Sequence, residues 1–165
     1  MHRALISMMA LALVLTLGQP ASAQDPATSI VGVWKLTSFA RKEVGTDKTI
    51  HVLGERPSGY RVHTRGGHAF YMFFGENRKA PVGAVTDTDR LELFKTMSAA
   101  GGTYEVEGNK VVFHAEVSGS QSMTGGTLTY RFVIAGKTLT MTTDPVKSSA
   151  GGPENVFVST YERVE

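Results

Sequence analysis

Gly32-Val33-Trp34-Lys35-Leu36-Thr37-Ser38-Phe39 is the stretch in which the strand pattern of this chain is clearest. Trp34 and Leu36 share one face and polar residues occupy the other, which is typical of a half-buried β-strand. Near the far end, Tyr161-Glu162-Arg163 terminates the last strand-like segment. In a closed antiparallel barrel the first and last strands are neighbours, so the Arg163 guanidinium can lie over the Trp34 indole. We therefore predict that Trp34 and Arg163 have a structural role in closing a barrel.

The two-residue period recurs along the chain, in segments separated by short turns that are often rich in glycine. Strands are predicted at 33–39, 49–53, 60–64, 68–74, 103–107, 110–118, 127–134, 138–143 and 156–164. Hairpin-length connections favour an up-and-down meander over a Greek-key sandwich, and the absence of alternating strands and helices argues against a parallel sheet. The predicted fold is all-β, a closed antiparallel up-and-down barrel of about eight or nine strands.

One segment has helical rather than strand-like spacing. Leu91, Phe94 and Met97 recur on one face, Thr86 or Asp87 can serve as the N-cap, and a glycine pair follows the segment. We predict one short helix from Thr86 to Ala100. Because it has a single apolar stripe, we expect it to lie against the barrel or across its mouth.

The N-terminus has the pattern of a secretory signal peptide. Arg3 precedes an apolar run over residues 4–18, and small residues follow at Pro20-Ala21-Ser22-Ala23. We predict cleavage after Ala23 and a periplasmic or secreted protein. The apolar run is short for a membrane span, so no span is expected after cleavage. The predicted organisation is a signal peptide over 1–23, a flexible mature N-terminus over 24–29 and a barrel domain over 30–165.

Composition excludes several classes of site. Without Arg3, 16 basic residues stand against 15 acidic ones, which gives no electrostatic case for nucleic-acid binding. The chain has no cysteine, which excludes disulfides, thiolate metal sites and cysteine nucleophiles. There is no phosphate-binding loop, no dinucleotide motif and no serine nucleophile elbow. His63 and His68 flank one hairpin without a neighbouring carboxylate, and we predict neither a metal site nor a cofactor.

Motifs in the order found along the chain resemble those of the lipocalin-like domain family, a distant branch of the calycin barrels. They are Gly32-x-Trp34-x-Leu36-x-Ser38-Phe39, Pro57-x-Gly59-Tyr60, Gly102-Thr103-Tyr104-Glu105-Val106, Arg131-Phe132-Val133 and Tyr161-Glu162-Arg163. The resemblance covers residues 30–164, and its closing segment has Tyr161 where the family usually has Trp. It implies a calycin-type β-barrel and the binding of a small ligand.

Aromatic and methionine side chains supply the candidates for a ligand site. We predict that a small hydrophobic or amphipathic molecule binds inside the barrel, because an eight-stranded barrel can hold one small ligand and methionine adapts to irregular apolar guests. The predicted ligand-binding residues are Phe70, Met72, Tyr104, Tyr130 and Phe132.

Two alternatives remain open at this point. In the first, the barrel is a cavity enzyme of isomerase or cyclase type, in which His114 and Glu116 act as acid and base with Arg131 on an adjoining strand. This version requires His114 or Glu116 to face inward, although Val111, Phe113, Ala115 and Val117 are the apolar set of the same strand and have the better claim on the interior. In the second, the protein is a structural or interaction module whose core is filled by its own side chains.

Overall fold

The computed structural model describes residues 26–147 and 152–165. The predicted signal peptide and its cleavage after Ala23 lie outside these residues. Of the predicted flexible segment 24–29, residues 26–29 are described and form a helical turn, α1 (Pro26–Ser29). None of the helices in the described part of the chain has the length and apolar character needed to cross a membrane.

Antiparallel strands account for most of the described residues. The strands are β1 (Gly32–Glu43), β2 (Thr49–His51), β3 (Ser58–His63), β4 (His68–Phe74), β5 (Met97–Glu107), β6 (Lys110–Ser118), β7 (Thr127–Ala135), β8 (Thr138–Thr143), β9 (Val146–Lys147) and β10 (Glu154–Arg163). A 3-10 turn, Gln121–Met123, lies between β6 and β7.

The sheet closes on itself because β1 pairs with β10 as well as with β3. Strands β3 to β8 follow one another by antiparallel pairing, and β8 then pairs with β10. The short β2 and β9 extend the edges beside β1 and β10 without taking part in the closed circuit. The predicted closed up-and-down barrel is therefore confirmed, with eight strands around its circumference. Closure satisfies strand edges that would otherwise be exposed.

The helix α2 (Asp87–Lys95) is shorter than the predicted one from Thr86 to Ala100. Thr86 is its N-cap, as expected, and forms a reciprocal capping box with Asp89. The predicted end is wrong, because Met97 begins β5 and residues 97–100 pair with β4. Residues 97–100 pair with β4 rather than continue the helix. The helical preference here is weak, because α2 buries no side chain against the barrel.

A β-bulge in the β5–β6 pair changes which residues face the interior. The register shifts at Gly102, which pairs with Ala115, while Gly101 pairs with Val117. A β-carbon on Gly102 would collide with the His114 carbonyl oxygen, so glycine is required for this close approach. Because of the shift, Ala115 faces inward and Val117 is exposed on the outer surface.

The core fills one end of the barrel. Trp34, Leu36, Leu139, Met141 and Tyr161 are almost fully buried, and they come from the strands on either side of the closure. On β4, the inward positions are Ala69, Tyr71 and Phe73. The opposite end is less densely filled, and the candidate site lies there.

Candidate functional site

The interior holds a cavity of about 350 Å³, which opens toward the end of the barrel near α2. Its lining residues are Phe39, Val52, Leu53, Arg61, Tyr71, Phe73, Lys95, Met97, Ser98, Met123, Leu128, Tyr130, Thr143, Val146, Phe157 and Ser159. Most of these side chains are apolar or aromatic, and none is a carboxylate. This size and lining fall in the range of cavities that bind small molecules.

Arg61 is the most unusual residue of this lining. It lies on β3 between Trp34 of β1 and Tyr71 of β4, and only 2% of its surface is exposed. Its guanidinium carbon lies 4.8 Å from the ring centroid of Tyr71, 4.9 Å from that of Tyr130 and 6.0 Å from that of Tyr161. Arg61 is therefore a buried cation held among three aromatic rings at the inner end of the cavity.

The charge of Arg61 has no carboxylate partner in the described part of the chain, where none of the ion pairs includes it. Burial alone would lower the pKa of Arg61, but the surrounding tyrosines, Tyr161 first, raise it above its ordinary value. The guanidinium thus stays charged. Burial also raises the pKa of Tyr161. The pKa of Tyr71 is raised to about 12, by burial first and by the neighbouring Tyr130 second. These phenols are neutral at physiological pH and do not neutralise Arg61.

Two polar atoms beside this cation are buried without a hydrogen-bond partner. They are the Nε of Arg61 and the hydroxyl of Tyr161. A buried donor left unpaired costs about 1–3 kcal/mol, and an unpaired buried charge costs more. Of these two residues, Arg61 lines the cavity, so the inner end of the cavity is a charged position in a mostly apolar space.

His63 is a second buried polar residue of β3, two positions beyond Arg61. Its ring lies edge-on to that of Tyr104, with centroids 4.9 Å apart, and neither ring nitrogen has a hydrogen-bond partner. Burial, and then the nearby charge of Arg61, lowers the pKa of His63 well below its usual value. His63 is therefore a neutral imidazole in the core. No three His, Asp or Glu side chains within residues 26–147 and 152–165 are grouped to hold a metal ion.

The opposite end of the barrel is sealed by the chain termini of the domain. Arg163 lies over Trp34, with its guanidinium carbon 4.0 Å from the ring centroid, and the two residues are direct partners across β1 and β10. The Arg163 Nη1 donates to the Val31 carbonyl at 3.0 Å, and Nη2 donates to the Ser29 carbonyl. The Trp34 Nε1 donates to the carbonyl of Ile30 at 2.8 Å. These bonds anchor the segment after α1 across the closed end.

The open end is bordered by α2. Arg78 donates from Nη1 to the Leu93 carbonyl at 3.0 Å and to the Thr96 carbonyl at 3.1 Å, and its guanidinium carbon lies 4.6 Å from the Phe74 ring centroid. These contacts tie the C-terminal turn of α2 to the end of β4. They place Lys95, the last residue of α2, in the lining of the cavity.

The predicted ligand-binding residues are divided between the two surfaces of the barrel. Tyr130 lines the cavity, whereas Tyr104 and Phe132 are buried in the core and do not line it. The prediction that Phe70 and Met72 point into the interior is wrong, because they are 50% and 51% exposed on the outer face of β4. The intervening residues Tyr71 and Phe73 take the inward positions.

Phe70 and Met72 instead line a shallow outer groove of about 430 Å³. Tyr60 of β3, Val117 of β6 and Ala99 of β5 complete its apolar surface. Gly101 allows the Phe70 ring to lie flat against the sheet, since a β-carbon there would come within 2.6 Å of the ring.

The proposed acid–base residues all lie on the outer surface. His114 and Glu116 are exposed, and the His114 Nδ1 lies 3.0 Å from the hydroxyl of Thr127. Arg131 is also exposed and forms an ion pair with Asp144 at 3.6 Å. The version of the enzyme hypothesis that required His114 or Glu116 in the interior is therefore contradicted, because Val111, Phe113 and Ala115 occupy the inward positions of β6. The prediction that Val117 shares this inward face is wrong, because the bulge turns it outward.

Sequence reasoning missed Arg61. Tyr60 and Val62 alternate with Arg61 and His63 on β3, and hydropathy alone assigns the tyrosine and valine to the interior. The structure reverses this assignment. The inward face is fixed by the register of β3 with β4, in which Arg61 lies opposite Tyr71 and shares its face.

The fold and cavity can now be set beside known proteins. A search of curated proteins found no match to the chain. A family model described as a lipocalin-like domain matches residues 31–164, which extend from just before β1 to just after β10. The match covers most of the chain and agrees with the closed barrel. The resemblance of the strand motifs is confirmed, and the chain belongs to the lipocalin-like domain family.

Proposed function

We propose that this protein is an exported barrel that binds one small hydrophobic or amphipathic molecule in its interior. The observation that carries the proposal is the cavity of about 350 Å³, which is lined mostly by apolar and aromatic side chains and has the Arg61 cation at its inner end. Its opening beside α2 offers a route of entry. Lipocalin-like membership is consistent with such a role but does not name a ligand.

The two alternatives have less support. A module with a filled core leaves no space for a guest, whereas this barrel encloses a cavity of ligand size. A cavity enzyme needs titratable groups that reach the guest, yet His114, Glu116 and Arg131 are directed to solvent. Binding is therefore the function that the interior supports best.

The export component depends on the N-terminal sequence alone. An apolar run followed by Pro20-Ala21-Ser22-Ala23 is typical of a substrate of signal peptidase. We expect the protein recovered from the periplasm or the medium of an expressing bacterium to begin at Gln24. Intact-mass spectrometry of that material tests this, and a protein that retains Met1 in the cytoplasm would contradict it.

The binding component is tested by filling each concave surface separately. Ser98 and Ala99 are neighbours on β5, with Ser98 lining the interior cavity and Ala99 lining the outer groove. We expect Ser98→Phe to reduce the affinity for the neutral dye Nile red by at least about tenfold, because the new ring occupies the space of the guest. Ala99→Phe is the matched control and should bind the dye as the wild type does.

Fluorescence titration with each purified variant distinguishes the possible sites. Loss of dye binding in Ala99→Phe alone would move the site to the outer groove and overturn the proposal. Circular dichroism and thermal melting establish that both variants are folded before the titrations are compared.

A further inference from the structure

We infer that the inner end of the cavity is an anion subsite, at which the Arg61 guanidinium binds the carboxylate of an amphipathic molecule. The inference rests on the proposed function and specifies the chemical class of the guest. The ligand class is a monocarboxylate with an apolar body, oriented with its charge inward and its apolar end toward α2.

The charges around the cavity favour an anionic guest. Among the residues that line the cavity, Arg61 and Lys95 are cationic and none is anionic. Lys95 at the mouth is engaged by Glu92 at 3.2 Å, whereas Arg61 at the inner end has no counter-ion among the described residues. A buried cation without a partner is costly, and a bound anion would compensate that cost.

Unused hydrogen-bonding capacity at Arg61 also favours an anion. The Arg61 Nε has no acceptor among the described residues, and Arg61 is the guanidinium that lines the cavity. A carboxylate has two oxygens with several lone pairs and can accept two hydrogen bonds from one guanidinium. A neutral alcohol head group satisfies fewer of these donors and supplies no charge.

The position of the guanidinium sets the orientation of the guest. It is held by the rings of Tyr71 and Tyr130, so it is fixed without being neutralised. Most of the remaining lining is apolar, with Phe73, Leu128 and Phe157 among its residues. An extended apolar group is accommodated only when the charged end of the guest lies deepest.

A matched set of ligands tests the inference on the wild-type protein. Decanoate, decanol and decylammonium have the same chain length and differ in the charge of the head group. At pH 8 and below the onset of micelle formation, we expect decanoate to bind ten- to a hundredfold more tightly than decanol, the range expected for a hydrogen bond between charged groups. Decylammonium should bind more weakly than decanol. Displacement of Nile red measures all three affinities.

Substitutions locate the source of the preference. Arg61→Met keeps an unbranched side chain of similar length without the charge, and replacing an unpaired buried charge by an apolar side chain favours folding. We expect it to bind decanol at least as well as the wild type and to lose the preference for decanoate. Arg61→Lys should retain part of the preference, because lysine keeps the charge but not the planar pair of donors.

The outcomes separate this inference from the proposed function. If decanol binds but decanoate binds no more tightly, the anion subsite is overturned and interior binding stands. If decanoate preference persists in Arg61→Met, the carboxylate lies elsewhere and the inference is again overturned. If no ligand of the set binds, the proposed function fails together with the inference. The wild-type comparison decides the question even when a variant does not fold.

Discussion

His63 gives the barrel a dependence on pH that originates in one side chain. Its pKa is lowered well below the ordinary value, by burial first and by Arg61 second. In the unfolded chain, histidine has a pKa of about 6.5. Below that pH the unfolded chain takes up a proton that the native state excludes, so the free energy of unfolding falls as the pH falls. The loss is about 1.4 kcal/mol per pH unit until the native pKa is reached.

We therefore expect His63→Leu to flatten the pH dependence of stability between pH 6.5 and 5, although its stability at pH 8 is free to differ from that of the wild type. Urea unfolding at several pH values measures the slope. His68→Leu changes an exposed histidine of the neighbouring strand and serves as the matched control. Equal slopes in His63→Leu and the wild type would show that His63 takes up its proton in the folded protein.

At Arg61, the alternation of the strand can be predicted from the sequence, but the face that points into the barrel cannot. The alternation on β3 is visible in the sequence, but the choice of the inward face is not, because both faces of the neighbouring β4 are apolar. A one-residue difference in register exchanges the two faces. Only the pairing of Arg61 with Tyr71 and Trp34 fixes the buried side. Hydropathy therefore selected Phe70 and Met72 for the interior.

At the scale of elements, Arg78 ties the C-terminal turn of α2 to the barrel, beside a backbone bond from the Gly75 amide to the Thr96 carbonyl. Arg78 donates to the carbonyls of Leu93 and Thr96 at the helix C-terminus, where the last carbonyl groups of a helix have no intrahelical donor. We expect Arg78→Ala to increase amide hydrogen exchange in the last turn of α2 by roughly tenfold, corresponding to about 1.4 kcal/mol of local stability. Lys79→Ala, a neighbouring exposed residue, is the control.

Hydrogen exchange followed by mass spectrometry localises the change to peptides from α2. Exchange in the strands β6 to β8 should stay at the wild-type level, because Arg78 makes no contact that crosses to them. Faster exchange throughout the barrel would instead indicate that Arg78 contributes to global stability, and the assignment of a local role would be wrong.

The boundary between α2 and β5 illustrates why an element can be recognised while its end is misplaced. Thr86 and Asp89 form a capping box that can be recognised in the sequence, and the helix begins where this motif predicts. Its end depends on long-range pairing, since residues 97–100 join β4 and extend β5 toward the open end of the barrel. No local signal in the segment encodes that partner.

At the scale of the whole molecule, the closed barrel was predictable because many weak signals agree. Period-two alternation and hairpin-length connections recur from β3 to β8, and a meander of such strands closes readily. The size of the cavity was not predictable, because it depends on how far side chains of opposite strands reach across the interior. The bulge at Gly102 also affects the size of the cavity, because it turns Val117 outward and leaves the small side chain of Ala115 facing the interior.

Closure itself depends on the contact between the two ends of the domain. Arg163 stacks on Trp34 and donates to the carbonyls of Ser29 and Val31, so it joins β10, β1 and the segment after α1. A cation–π contact contributes about 0.5–2 kcal/mol, and hydrogen bonds from a charged donor contribute about 1.5–3 kcal/mol. We expect Arg163→Ala to lower the free energy of unfolding by about 3 kcal/mol, or Tm by roughly 10 °C for a domain of this size.

Arg131→Ala is the matched control, because Arg131 is exposed and its ion pair with Asp144 lies at the surface. Its loss should cost less than about 1 kcal/mol. Arg163→Lys separates charge from shape, since lysine keeps the charge but cannot stack flat on the indole or donate from two terminal nitrogens in a fixed plane. We expect it to recover less than half of the stability lost in Arg163→Ala. A melting temperature of Arg163→Ala equal to that of Arg131→Ala would mean that the barrel stays closed through backbone pairing of β1 and β10 alone.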